Sequence, residues 1–125
     1  MKVRIHFLLL LMAFFAGCTT LERPPGEIAA EDPEALFLAG QYENAAQIFL
    51  ALAQQASGSE QTAFRLRASA ALARASQPHQ ARQLLEKTAI VPGDQFNLSL
   101  QRLAKAHLAL AERLPDQVQI LLSEP

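Results

Sequence analysis

Apolar positions first form one unbroken run, Phe7 to Ala16, ten residues long. From residue 32 onward the pattern changes. Apolar side chains recur every three or four positions in stretches separated by short breaks of Pro, Gly, Ser and Asp, and that spacing lines one face of a helix while the breaks mark its ends. Asp32-Pro33 predicts a helix start, with Asp as N-cap and Pro at the first helical position, and Gly40 ends that helix over 33–39 by taking a left-handed cap. A second helix carries Tyr42, Ala45, Ala46, Phe49, Leu52, Ala53 and Ala56 on one face before Ser57-Gly58-Ser59 breaks it. A third, over roughly 60–75, offers Ala63, Leu66, Ala70 and Ala73, a narrow face of mostly small residues. Pro78 opens a fourth, with Ala81, Leu84, Leu85 and Thr88 inward. The turn Val91-Pro92-Gly93-Asp94 leads into a fifth, whose stripe reads Phe96, Leu100, Leu103, His107, Leu110, Leu114. That stripe predicts burial, so Leu103→Asp is expected to unfold the domain.

The pattern repeats. Displaced by 36 residues, Leu36 falls on Leu72, Gln41 on Gln77, Tyr42 on Pro78, Ala45 on Ala81, Ile48 on Leu84 and Phe49 on Leu85. Displaced by a further 37, Pro78 falls on Pro115, Gln80 on Gln117 and Leu84-Leu85 on Leu121-Leu122. A period of this size with two helices per unit predicts an all-α helical-hairpin solenoid of about two and a half units. The last helix is expected to be short, about seven residues, and a terminal repeat normally carries a polar outer face. Leu121-Leu122 do not provide one, so either a longer chain or a partner is expected to cover that end.

Composition agrees with helix. Twenty-three alanines and twelve glutamines stand against five glycines, and both residue types lose little in a helix. The formal net charge is −1, but residues 18–63 carry one basic and seven acidic side chains while 64–125 carry eight basic and five acidic. The basic half is too dilute, and too poor in interleaved aromatics, for a nucleic-acid surface. With one cysteine, no internal disulfide can form.

Lys2 and Arg4 ahead of the Phe7–Ala16 run make a secretion signal that is too short to span a bilayer, which needs roughly 20 apolar residues. It ends in Phe15-Ala16-Gly17-Cys18, which resembles the lipobox of bacterial lipoproteins, with Phe15 in place of the usual leucine. Residues 1–17 are thus expected to be a lipoprotein signal peptide cleaved between Gly17 and Cys18. Cys18 would carry a diacylglyceryl group and an N-acyl chain, and two or three chains hold a protein on a membrane without ready release. Thr19 resembles the residue that outer-membrane lipoproteins carry after the cysteine. Residues 18–31, with Pro24-Pro25-Gly26, read as a tether, and 32–125 as the helical domain.

Ala35–Ala53 (ALFLAGQYENAAQIFLALA), with its returns at 67–88 and 98–122, is similar to the N-terminal TPR-like domain of the LpoA (LppC) family. Those outer-membrane lipoproteins activate a class A penicillin-binding protein, the bifunctional peptidoglycan synthase. The similarity covers about ninety residues plus the leader; G-x-Y-x-x-A-A belongs to many TPR-like units, and the order of units is narrower. The resemblance implies a TPR-like fold and a non-catalytic regulator or adaptor of peptidoglycan synthesis, anchored in the outer membrane and facing the periplasm. Its partners would be the class A synthase, peptidoglycan, or both, without nucleic acid, and the oligomeric state is left open. Family members continue into a large domain shaped like a periplasmic binding protein, implicated in contacting the synthase, which these residues do not include. Activation therefore does not carry over to this stretch alone. The alternative is a general TPR scaffold in another envelope process such as outer-membrane protein assembly.

No G-x-S-x-G, H-E-x-x-H, C-x-x-C or phosphate-cradling glycine loop occurs, so no enzyme and no cofactor beyond the lipid on Cys18 is expected. His79 reads as a solvated turn residue. His107 reads as a core histidine, with a ligand contact or a pH-sensitive joint as the sharper reading. Asn97-Leu98-Ser99 matches a glycosylation sequon but is set aside in a bacterial-type lipoprotein. Phe37, Tyr42 and Phe49 are expected in the core, with a peptide groove as the alternative. The candidate partner surface is Tyr42, Arg65, Arg74 and Arg82.

Overall fold

In a computed structural model, which describes residues 31–123, the chain is all-helical. It runs α1 (Pro33–Leu38), α2 (Tyr42–Gln55), α3 (Gly58–Arg74), α4 (Pro78–Lys87), α5 (Gln95–Ala111) and α6 (Pro115–Ser123). The leader, Gly17, Cys18 and the tether up to residue 30 lie outside the described residues. Two of the expected caps are made. The Asp32 side chain accepts from the Glu34 N–H at 3.0 Å ahead of Pro33, and Asp94 accepts from the Asn97 N–H at 3.1 Å.

The period seen in the sequence has a local cause. At the end of α1, Gly40 takes φ +79, its N–H donates to Phe37 O (3.1 Å), and the Gln41 N–H donates to Leu36 O (2.9 Å). This paired closure satisfies carbonyls that a helix end leaves without partners. The same turn returns at the end of α3, where Ser76 takes φ +62 and the Gln77 N–H donates to Leu72 O at 2.9 Å. It returns again at the end of α5. There Arg113 takes φ +59, its N–H donates to Leu110 O, and the Leu114 N–H donates to Ala109 O at 2.8 Å. Left-handed positions at 40, 76 and 113 thus stand 36 and 37 residues apart, and they join α1 to α2, α3 to α4 and α5 to α6 by one geometry.

The central helix is α3, which packs against α2, α4 and α5, while α1 lies on α2 and α6 on α5. Its second half is buried nearly all round, from Ala68 to Ala73, where a narrow face was expected. Alanine permits this because it lets three neighbouring helices approach one backbone without leaving voids. Two clusters result: Phe49, Ala45 and Ala46 of α2 meet Ala68, Ala71 and Leu72 of α3, and Leu66 and Ala70 meet Leu85 of α4 and Ala104 of α5. Both lie wholly within the described residues, so this segment carries its own core. Full burial of Phe49 or Leu66 stabilises it by about 1.5–3 kcal/mol each. Buried Ser69 donates from Oγ to Ala81 O at 2.8 Å, which ties α3 to α4.

One helix departs from the sequence expectation. On α5, Phe96 is 58 % exposed, Leu103 46 % and Leu110 50 %, and Leu114 beyond it is also exposed. The buried positions are Asn97, Ala104, Ala106 and Ala109. The close approach of α3 selects the small side of α5 and turns the bulky stripe outward, so Leu103 is not a core residue. Asn97, fully buried, donates from Nδ2 to Ser59 O, Ser59 Oγ and Asp94 Oδ2 at 2.7–3.0 Å. The amide nitrogen thereby joins the starts of α3 and α5, while Asn97 Oδ1 is buried without a hydrogen-bond partner.

Candidate functional site

Leu103, from the outward stripe of α5, lines a cleft. Phe37 and Leu38 of α1, Phe49 of α2, Arg67 and Ala70 of α3, and Leu100 and Leu103 of α5 enclose about 210 Å³ of almost wholly apolar lining. The first helix leaves Leu38 87 % exposed, because α1 is only six residues long and rests on α2 by its other side. The rim is charged. Arg67 Nε lies 3.2 Å from Glu34 Oε1, and the same guanidinium sits 5.8 Å from the Phe96 ring centroid. An exposed pair of this kind contributes little to stability, but it fixes a flat cation at the mouth of an apolar cleft.

Beside the cleft runs a chain of ring contacts through four helices. The Arg74 guanidinium lies 4.9 Å from the Tyr42 ring centroid and donates from Nη2 to the Tyr42 Oη at 2.8 Å. Tyr42 meets the Phe37 ring edge-on at 5.2 Å, and Phe37 meets His107 edge-on at 5.6 Å. His107 is partly buried, and its Nδ1 is shielded from solvent without a hydrogen-bond partner. Burial, and secondarily the positive charge of Arg74, hold its pKa below the ordinary histidine value. This end of the face therefore presents a neutral imidazole beside a cation. A second pocket of about 320 Å³ opens there between Arg74, Pro78, His107 and Leu110.

Of the four positions expected to form a partner surface, two meet: Tyr42 and Arg74. Arg82, on α4, pairs with Glu112 at the end of α5. Arg65 lies nine residues before Arg74 on α3, about 13 Å along the axis and half a turn round it. Phe49 is core, whereas Phe37 and Tyr42 are half-buried and shape the exposed face. His79, expected in a turn, lies in the first turn of α4 and is exposed, with Nε2 3.1 Å from Gln83 Nε2. Sequence reasoning missed the cleft itself; of its lining, Leu100 and Leu103 stand in the fifth helix's apolar stripe, but that stripe reads as core.

No family model, no curated protein and no solved structure matches this chain. Among the described residues no cluster of three or more His, Cys, Asp or Glu side chains could hold a metal ion. No described helix is long and apolar enough to cross a membrane. The chemistry the face offers is apolar contact, one stacked and hydrogen-bonded guanidinium and one ion-paired guanidinium, which suits recognition of another molecule.

Proposed function

We propose that this chain is an outer-membrane lipoprotein, held by the lipid on Cys18 at the periplasmic face, whose TPR-like hairpin repeat is a non-catalytic adaptor or regulator of peptidoglycan synthesis. The partner is a class A penicillin-binding protein. The observation that carries this reading is the open apolar cleft on the Leu38–Leu103 face. It lies on a three-fold repetition of one hairpin turn, at the residues that resemble the N-terminal domain of the LpoA (LppC) family. Rigidity is the useful property here: packed hairpins hold a binding face at a fixed distance and orientation, which a tether of equal length does not.

A general TPR scaffold in another envelope process is the second reading. It is favoured by the plain chemistry of the cleft, which specifies an apolar partner but not a synthase. Direct titration of the purified class A synthase with residues 31–125 separates the two. The first reading predicts weak binding that falls as salt rises, and no stimulation of glycan synthesis or crosslinking by this stretch alone. Binding to neither synthase nor peptidoglycan leaves the scaffold reading. Stimulation would contradict the expectation that a further domain is needed for activation.

A further inference from the structure

The pocket of about 320 Å³ between the end of α3 and the last turns of α5 differs in chemistry from the cleft beside it. Its wall sets Arg74, Ser76 and His107 among the apolar Ala73, Pro78 and Leu110, and no carboxylate lines it. Arg67 and Arg82 are each matched by a glutamate, whereas Arg74 has no carboxylate partner among the described residues. Glu43 of α2 is engaged by the Gln77 amide and lines a different pocket. The Arg74 guanidinium instead stacks 4.9 Å from the Tyr42 centroid and donates from Nη2 to Tyr42 Oη at 2.8 Å. One ring thus fixes the plane of the fork, and its remaining N–H donors are left for a ligand.

His107 supplies a second donor. Its Nδ1 is shut off from solvent without a partner. Among the described residues Nε2 has no protein partner either, and it is not shut off. An orphaned buried N–H is the rarer and costlier arrangement, so the neutral ring carries its proton on Nε2. The Ser76 hydroxyl is likewise without a protein partner among the described residues. The pocket also lies at the start of α4, where Gln77 makes no side-chain cap and the first turn holds no acidic residue, which adds to the positive potential there.

We infer that this pocket binds the terminal carboxylate of a peptide that ends in a small apolar residue. The Arg74 fork and the His107 Nε2–H are its donors. One fixed positive charge beside a neutral donor answers one negative charge, and a planar fork fits a carboxylate bidentately. The volume is near the lower end for ligand pockets, and the short wall at Ala73, Pro78 and Leu110 takes a small apolar side chain while the preceding chain runs out to solvent. The site stands apart from the Leu103 cleft, and the inference does not rest on the envelope role.

The probe is acetyl-alanyl-alanine, titrated into isotope-labelled residues 31–125 and followed by amide chemical shifts. The expected result is saturable shifts confined to residues 73–78 and 107–111, with a Kd of about 1 mM, and movement of the His107 Nε2 resonance with the same midpoint. The C-terminal amide of the same peptide, which lacks the charge, should bind at least tenfold more weakly, and inorganic phosphate should also bind more weakly than the acid. Arg74→Gln should weaken binding of the acid about tenfold or more, while Arg65→Gln, which removes the same charge elsewhere on α3, should leave it unchanged. Equal binding of acid and amide, equal or tighter binding of phosphate, shifts centred on the Leu103 cleft, or an equal loss in both arginine variants would overturn the assignment. The comparison of acid with amide uses the unaltered protein, so it decides even if Arg74→Gln disturbs the fold.

Discussion

His107 is held neutral by its surroundings. Among the described residues, the Phe37 ring edge and the Arg74 charge face it. Its folded pKa is depressed, so the unfolded chain binds the proton more readily. Stability from this group is therefore complete above the unfolded value, about 6.5, and declines as pH falls through it. The expected outcome is a melting temperature that drops as pH falls below about 6.5 and a flatter profile for His107→Gln. An equal slope in both proteins would show that His107 does not couple to folding. The same scale separates core from surface. Leu66 is 1 % exposed and Leu103 46 %, so Leu66→Ala is expected to cost about 2–5 kcal/mol. Leu103→Asp should leave the melt within a few degrees of wild type, a contrast that chemical denaturation of the two variants measures directly.

The elements of this protein are closed by a turn that requires left-handed backbone, and only the first copy uses glycine. Non-glycine residues in that conformation are strained by about 1 kcal/mol. Ser76→Gly and Arg113→Gly are therefore expected to raise stability by roughly 0.5–1 kcal/mol each, and Gly40→Ala to lower it by about 1 kcal/mol. No atom stands where a Cβ at Gly40 would fall, so the cost there is one of backbone conformation and not of packing. Opposite signs at Gly40 and Ser76 in urea unfolding would support the shared geometry, and a loss at Ser76 would contradict it. The sequence made these ends legible because Gly40, Pro78 and Pro115 punctuate the chain and leucine and alanine recur at fixed offsets. It did not make legible which side of α5 faces inward. Periodicity weighs bulky residues, so Phe96, Leu103 and Leu110 dominate the pattern, whereas packing chose Asn97 and Ala104, whose small volume lets α3 approach. The Tyr42–Arg74 contact was equally hidden as a pair, because its members are 32 residues apart and only the return of α3 alongside α2 brings them together.

At the scale of the whole molecule, the all-helical fold with its own core offers two neighbouring surfaces, an apolar cleft with Arg67 at its rim and a second pocket beside Arg74 and His107. As a lipoprotein it would present both at the end of a short tether. Expressed in a Gram-negative host, the full chain is expected to fractionate with outer membranes, and Cys18→Ala to accumulate as an uncleaved precursor. Mass spectrometry of the mature N-terminus checks this, and a terminus other than Cys18 would contradict the anchor. The central claim is that the Leu38–Leu103 cleft receives a class A penicillin-binding protein in the periplasm. Its most direct test is photocrosslinking in cells from a benzophenone side chain placed at Leu103, a site exposed enough to accept it without disturbing the core. The account predicts an adduct that contains the class A synthase and is absent when the same group replaces Arg65, which lies on α3 about 200° round the helix from the cleft's Arg67. Irradiation that yields no synthase adduct from position 103, or one of equal strength from position 65, would contradict it.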